Sequence, residues 1–250
     1  MKFSIITASY NSLDTLVGAM ESLFKQSYQD FEWVVVDGNS TDGTQAWLAT
    51  QTDARIRYIS EPDSGIYEAL NKGLALSTGE VVGFLHADDL YAHSDVLLHV
   101  SATFQRDHCD GVYGDLQYVR SDDTTRILRD WRGKKFTLWR LEHGWMPAHP
   151  TLFIKRCLYV EHGGFDLSFR IAADYDFMLR LMKKAQYKWS YQPGLITLMR
   201  WGGVSNQWGN WISKKCEDWR AIRKNNLRFP VLVLMYKNIS KLKQLRYISR

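Results

Sequence analysis

Three polar clusters each follow a short apolar run early in the chain: Thr7-Ala8-Ser9-Tyr10-Asn11, Asp37 to Thr44, and His86-Ala87-Asp88-Asp89. Carboxylates and hydroxyls there can hydrogen-bond the base and ribose of a nucleotide, and a carboxylate can hold a divalent cation against a diphosphate. Gly, Asn, Ser and Asp are also the ordinary residues of a turn. The repeated placement after a strand argues for more than turns. Further along, Asp174 opens a helical pattern carried by Tyr175, Met178, Leu179, Leu181 and Met182. A carboxylate at a helix start suits the macrodipole and serves either as a cap or as a general base. His149 before Pro150, Trp145, and Arg200 beside Gly202-Gly203-Val204-Ser205 are further candidates for ligand contact, the last with an anion. No GxGxxG and no GxxxxGK[ST] occurs, so neither a dinucleotide fold nor a P-loop is supported.

These clusters need a scaffold that gathers them. Phe3 to Ala8, Trp33 to Val36, Arg55 to Ser60 and Val81 to Leu85 read as strands. Between them run helical patterns, among them Leu13 to Phe24, a helix through Trp47 and Leu48 that Asp42 can cap, and Ile66 to Leu76. The order βαβαβαβ predicts a parallel sheet with helices on both faces. Ligands in such sheets bind beyond the carboxyl ends of the strands, where the three clusters fall. From 116 to 212 the pattern is less regular, and beyond it lies a basic, largely helical tail over 213–250. We therefore expect one domain over 1–212 in two lobes, 1–115 and 116–212, followed by the tail.

Composition narrows the class. The 250 residues are 45% hydrophobic and 24% charged, which excludes a disordered or collagen-like chain. The longest aliphatic run, Val231 to Met235, is far shorter than a bilayer span. Cys109, Cys157 and Cys216 form no disulfide framework, and Met1-Lys2-Phe3 leads straight into a strand, so a cytoplasmic protein without a secretory leader is expected. Eight of the ten tryptophans lie beyond residue 130, which suggests different work for the two halves.

The formal net charge is +5. Residues 214–250 hold eleven Lys or Arg against Glu217 and Asp218, net +9, so the body is net −4. In the tail Leu232, Met235, Ile239, Leu242 and Leu245 follow helical spacing beside Lys237, Lys241, Lys243, Arg246 and Arg250. Such a helix suits an anionic membrane surface, or packing on the body. An acidic body and a tail without RNA-module patterns argue against a nucleic-acid partner.

Taken together, Ser4 to Asn11, Val36 to Thr44, Asn71-Lys72-Gly73 with Gly79-Glu80, and His86 to Asp89 resemble the inverting family-2 glycosyltransferases of GT-A fold. His149-Pro150, Gly163-Gly164-Phe165-Asp166 and Ala172 to Asp176 with Arg180 extend the resemblance, which covers about residues 3 to 205. It is nearest to the bacterial branch that assembles O-antigen, capsule and exopolysaccharide. The resemblance implies an α/β GT-A fold, a Rossmann-like mixed sheet flanked by helices. It implies a UDP- or GDP-sugar donor, a glycan acceptor that is lipid-linked, Mg²⁺ or Mn²⁺, and work at the inner face of the plasma membrane.

By the same resemblance, Thr7, Ala8, Ser9 and Asp37 contact the nucleotide base, and Asp63, Gly65 and Asn71 close over the nucleoside. His86, Ala87 and Asp88 meet the donor, Asp88 as the metal ligand, and Asp174 is the catalytic base. Three departures stand out: His86 replaces the first Asp of the DxD motif, Gly38 replaces a frequent Asp, and Ala173 replaces a common Glu. A sugar nucleotidyltransferase of the same fold would carry a Gly-rich basic phosphate loop after the first strand, which Thr7 to Asn11 lacks.

Overall fold

A computed structural model describes residues 1–202 and 211–244. In chain order the elements are β1 (Phe3–Ser9), α1 (Leu13–Phe24), β2 (Phe31–Asp37), α2 (Thr44–Ala49), β3 (Ile56–Ser60), α3 (Ile66–Leu76) and β4 (Val81–Phe84). There follow β5 (Asp89–Tyr91), α4 (Val96–Asp107), β6 (Gly111–Val119), β7 (Ile127–Trp131), α5 (Leu138–Glu142) and a 3₁₀ turn at His149–Thr151. The last are β8 (Phe153–Lys155), α6 (Arg156–His162), α7 (Ala173–Met182), β9 (Trp189–Arg200), α8 (Trp211–Lys224) and α9 (Pro230–Gln244).

The sheet runs β3-β2-β1-β4-β8-β6-β9-β5, with β7 added against β6. Its first four strands are parallel, as the alternating pattern predicts. β8 then runs antiparallel to both β4 and β6, β9 lies parallel to β6, and β5 closes antiparallel on β9. The stretch read as irregular thus contributes most of the second half of one mixed sheet, flanked by helices on both faces.

Strand alternation builds the two layers. Ile5, Trp33 and Val35 face a core with Leu16 and Leu23 of α1 and Leu97 and Val100 of α4. Ile6 and Val34 face the other, with Leu70 of α3 and Phe177 and Leu181 of α7. The cap position of α2 is Gly43 and not Asp42, but the Asp42 carboxylate reaches both helix starts, accepting the Leu13 N–H at 2.9 Å and the Thr44 N–H at 3.0 Å. It therefore ties the starts of α1 and α2 together.

The basic tail is packed on the body as far as it is described. Ala221, Ile222, Leu227 and Val233 are buried in the same core as α7. Lys237 points inward: its Nζ lies 2.7 Å from Asp218 Oδ1 and 3.3 Å from the Tyr175 ring centroid. This corrects its reading as a headgroup-facing base, because the buried carboxylate of Asp218 needs a counter-charge inside the protein. Leu232 and Met235 are exposed as expected. The side chains of Ile239, Lys241, Leu242 and Lys243, and all of Leu245, Arg246 and Arg250, lie outside what is described.

Candidate active site

The carboxyl ends of β1, β2 and β4 bring the three polar clusters to one edge. Ser9 pairs with Asp37 in register, and the Gly38 N–H donates to the Ser9 carbonyl at 2.8 Å. Asn11 is bound to the second cluster through the Ser40 hydroxyl and the Thr41 N–H. The Leu85 N–H donates to the Ile6 carbonyl, and the Thr7 hydroxyl donates to the Leu85 carbonyl at 2.6 Å, so the third cluster is stitched to the first.

Two corners emerge. In one, Asp37 is fully buried and accepts from the Ser40 N–H, the Ser40 hydroxyl and the Ser60 hydroxyl. Asp63 accepts the Gly65 N–H at 2.9 Å. A Cβ at position 38 would sit 2.8 Å from Asp63 Oδ2, so a side chain there would displace the Asp63 carboxylate. Gly65 itself has φ of 136°, a backbone that side chains oppose, and it starts α3. Thr7 is turned inward, with its hydroxyl also accepting the Trp33 indole N–H at 2.9 Å. Ser9 shares a hydrogen bond with Ser12, and Ala8 packs against the core beneath.

In the other corner His86, Asp88, His149 and Asp174 gather. The His86 and His149 rings lie 6.3 Å apart, and His149 stacks on Phe84 at 5.0 Å. Burial pushes His149 down to about 4 against the pull of Asp174, and burial lowers His86 against Asp88 and Asp174. Both imidazoles are therefore neutral hydrogen-bonding groups at neutral pH. His86 Nδ1 and His149 Nε2 are buried and have no hydrogen-bond partner among the described residues, so each has capacity to spare for a ligand. Ala87 is buried beneath. Arg200, at the end of β9, donates to the Asp88 carbonyl at 2.8 Å and thereby fixes the turn. Gly203 to Ser205, read with Arg200 as a phosphate loop, lie outside the described residues.

Asp174 is the second residue of α7 and does not cap it; the cap position is Ala172. Its Oδ1 accepts the Tyr175 N–H at 2.8 Å and lies 3.0 Å from the Tyr67 hydroxyl, whose proton is shared with the Ile171 carbonyl. Burial and the Asp174 charge raise Tyr67 well above its ordinary range, so it stays a proton donor to the carboxylate. The loop that leads into α7 is held from elsewhere. Glu217, on α8, accepts the N–H groups of Arg170, Ile171 and Ala172 at 3.0, 2.8 and 2.9 Å. Sequence reasoning missed both Tyr67 and Glu217, because no spacing links residues 107 or 43 positions from their target.

Two expected site residues are engaged otherwise. The Asn71 amide is committed to the Phe165 backbone, accepting its N–H and donating to its carbonyl at 2.8 Å each. It fastens α3 to the Gly163–Asp166 turn. Trp145 packs edge-on against Tyr113, against the main core.

Among the described residues no group of three or more His, Cys, Asp or Glu could hold a metal on protein ligands alone. The donor set here is one partly exposed carboxylate, Asp88, near an imidazole nitrogen without a partner. That suits an Mg²⁺ or Mn²⁺ ion that draws most of its ligands from a diphosphate and water.

A parallel half-sheet with a polar carboxyl edge, continued by a mixed half that carries an acid on a helix start, defines a glycosyltransferase of GT-A fold. The family model described as "Glycosyl transferase family 2" matches residues 4–161, and the chain belongs to that family. It is 33% identical over 209 residues to a PGL/p-HBAD biosynthesis glycosyltransferase of Mycobacterium bovis (strain BCG / Pasteur 1173P2), covering 82% of this chain and 79% of the relative. Its fold is similar to Staphylococcus aureus TarS 1-349 in complex with UDP-GlcNAc: TM-score 0.71, 20% identity, 95% of this chain and 72% of that one. It is also similar to the mannosyltransferase PcManGT from Pyrobaculum calidifontis in complex with GDP-Man and Mn²⁺: TM-score 0.63, 20% identity, 94% and 68%.

Proposed function

We propose that the protein transfers a sugar from a UDP- or GDP-sugar, with inversion, to a hydroxyl of a lipid-linked glycan during assembly of a bacterial surface polysaccharide. On this reading it works in the cytoplasm, at the inner face of the plasma membrane. The observation that carries the reading is Asp174. It sits at the positive end of α7, hydrogen-bonded by Tyr67, just after a loop clasped by Glu217, and near the His86–Asp88 edge.

Asp37, Asp63 and the Ser9 region form the nucleoside corner, which orients the donor. Asp174 accepts the proton of the acceptor hydroxyl as that oxygen bonds the anomeric carbon. The bond from that carbon to the diphosphate breaks on the opposite face, so a single displacement inverts the centre. Asp88 would hold Mg²⁺ or Mn²⁺ against the diphosphate, which supplies neutralisation of the leaving group's charge. The neutral imidazoles of His86 and His149 are placed to hydrogen-bond the donor sugar or the incoming hydroxyl. Arg200 keeps the Asp88 turn in place.

A panel of nucleotide sugars, read by thermal stabilisation and by hydrolysis, tests the donor class. With the responsive donor, Asp174→Asn should lower kcat on the order of 10²-fold or more and leave donor binding intact. Asp88→Asn should abolish metal-dependent donor binding. Collapse of donor binding in Asp174→Asn, or unchanged metal-dependent turnover in Asp88→Asn, would overturn the assignment.

A further inference from the structure

Exposed apolar side chains of α5 and α9 lie side by side. On α9, Val231, Leu232, Met235 and Tyr236 are 59, 44, 53 and 47% exposed, while Val233 between them is buried. The i, i+4 spacing of Val231 with Met235 and of Leu232 with Tyr236 makes them one stripe. On α5, Leu138 is exposed, and Trp139 is 65% exposed and stacked on His143 at 4.1 Å between centroids. The His143 ring lies 5.8 Å from that of Tyr236. Trp139, His143 and Tyr236 therefore bridge the two helices into a single face. Gly144 permits the approach, since a Cβ there would run into the Val233 carbonyl and stand 2.8 Å from the Lys237 nitrogen.

The charges beside this face are nearly all of one sign. Lys134 and Lys135 are exposed just before α5, and Arg228 is exposed just before α9. From residue 219 to 250 the chain contains no Asp or Glu, and between 131 and 144 the one acid is Glu142. Aliphatic side chains, a Trp and a Tyr, and surrounding bases are what an anionic bilayer interface receives: apolar groups enter the acyl boundary, rings sit at headgroup level, and bases meet phosphates.

We infer that α5 and α9 together form a docking face for an anionic lipid surface. α9 is the spacer between that surface and the catalytic corner. Its inward side carries Lys237 over the ring of Tyr175, the residue after Asp174. A docked bilayer would thus lie about one helix diameter, roughly 10 Å, from the α7 start, within reach of a glycan carried on a lipid. The use of the face rests on the reading of a lipid-linked acceptor, but its existence does not.

The test is co-sedimentation of the full chain with phosphatidylglycerol–phosphatidylcholine vesicles and with phosphatidylcholine vesicles alone. Wild type should bind the anionic vesicles and be released by salt. Met235→Glu should abolish binding. Lys134→Gln with Lys135→Gln should weaken it about 25-fold, from ~1 kcal/mol, or about fivefold, per base. Donor hydrolysis without vesicles should equal wild type in every variant. Wild type that ignores anionic vesicles, or variants that bind as wild type does, would overturn the inference. So would a wild-type dimer that Met235→Glu dissociates with vesicle binding unchanged, because a second copy then covers the face. Vesicle binding with no donor hydrolysis in any nucleotide sugar would leave the docking face standing and remove the catalytic reading instead.

Discussion

The buried pair between Lys237 and Asp218 gives the sharpest test of whether the last helices belong to the fold. Their side chains are 12 and 6% exposed and meet at 2.7 Å. Burial pulls the ammonium down, opposed by the carboxylate, so the pair survives because each charge answers the other. Removing one partner leaves the other charged in a site without water, which costs about 3–5 kcal/mol in such pairs. Lys237→Met and Asp218→Leu should each lose stability on that scale. In a domain of this size ~1 kcal/mol corresponds to about 2–4 °C, so Tm should fall by about 6–20 °C. The double variant Lys237→Met/Asp218→Leu removes both charges and keeps the volume, and it should regain most of the loss. Urea denaturation of the four proteins completes a double-mutant cycle. If each single change costs under about 1 kcal/mol, or if the double loss equals the sum of the single losses, α9 is not docked through this pair.

Glu217→Gln keeps the size but weakens three charge-assisted hydrogen bonds to the loop before Asp174. It should lower kcat by about tenfold with donor KM little changed, and Glu217→Asp should not restore it; a loss confined to Tm would make Glu217 a structural residue only. Asn71→Ala should cost about 1–3 kcal/mol by leaving the Phe165 N–H and carbonyl unpaired, with donor KM unchanged once the protein is folded; a rise in KM alone would return Asn71 to the nucleoside. Burial would raise Glu32, but hydrogen bonds from Ser4, Thr78 and Lys2 outweigh it and hold the carboxyl at about 2, below its ordinary 4.5. That depressed value contributes stability present above pH 4.5 and lost as pH falls toward 2, on the order of ~3 kcal/mol. Acid unfolding followed by circular dichroism should lose that dependence in Glu32→Gln.

The first half was legible because its signals are local. A strand of a parallel sheet is a short apolar run, and each run here ends in a polar turn, as after Ser9, Asp37 and Phe84. The helix over Ile66 to Leu76 has the expected bounds. The second half resisted because its strands pair over long distances. β9 lies parallel to β6 with register shifts near Asp115, and β5 is three residues long and is a strand only because Thr197 to Met199 run beside it. The inward turn of Lys237 was hidden for a related reason. Periodicity identifies an apolar stripe, but not which basic residue on the helix will find a buried carboxylate. Tyr67 and Glu217 carried no local mark at all, since their function is to serve a loop elsewhere.

The clasp of Glu217 has a consequence for the order in which the working parts come into being. The contacts of Asp37 and Asp63 lie within residues 9–65, among the first three strands, whereas the Asp88 turn waits for Arg200 at the end of β9. The loop before Asp174 is held by hydrogen bonds that Glu217 accepts, and the helix carrying Glu217 is itself tied to α9 through Asp218 and Lys237. During synthesis the partners of Asp37 therefore emerge well before the residue that clasps the loop ahead of Asp174. On the proposed reading, a chain clipped before α8 keeps the corner around Asp37 and lacks the clasp that steadies its base.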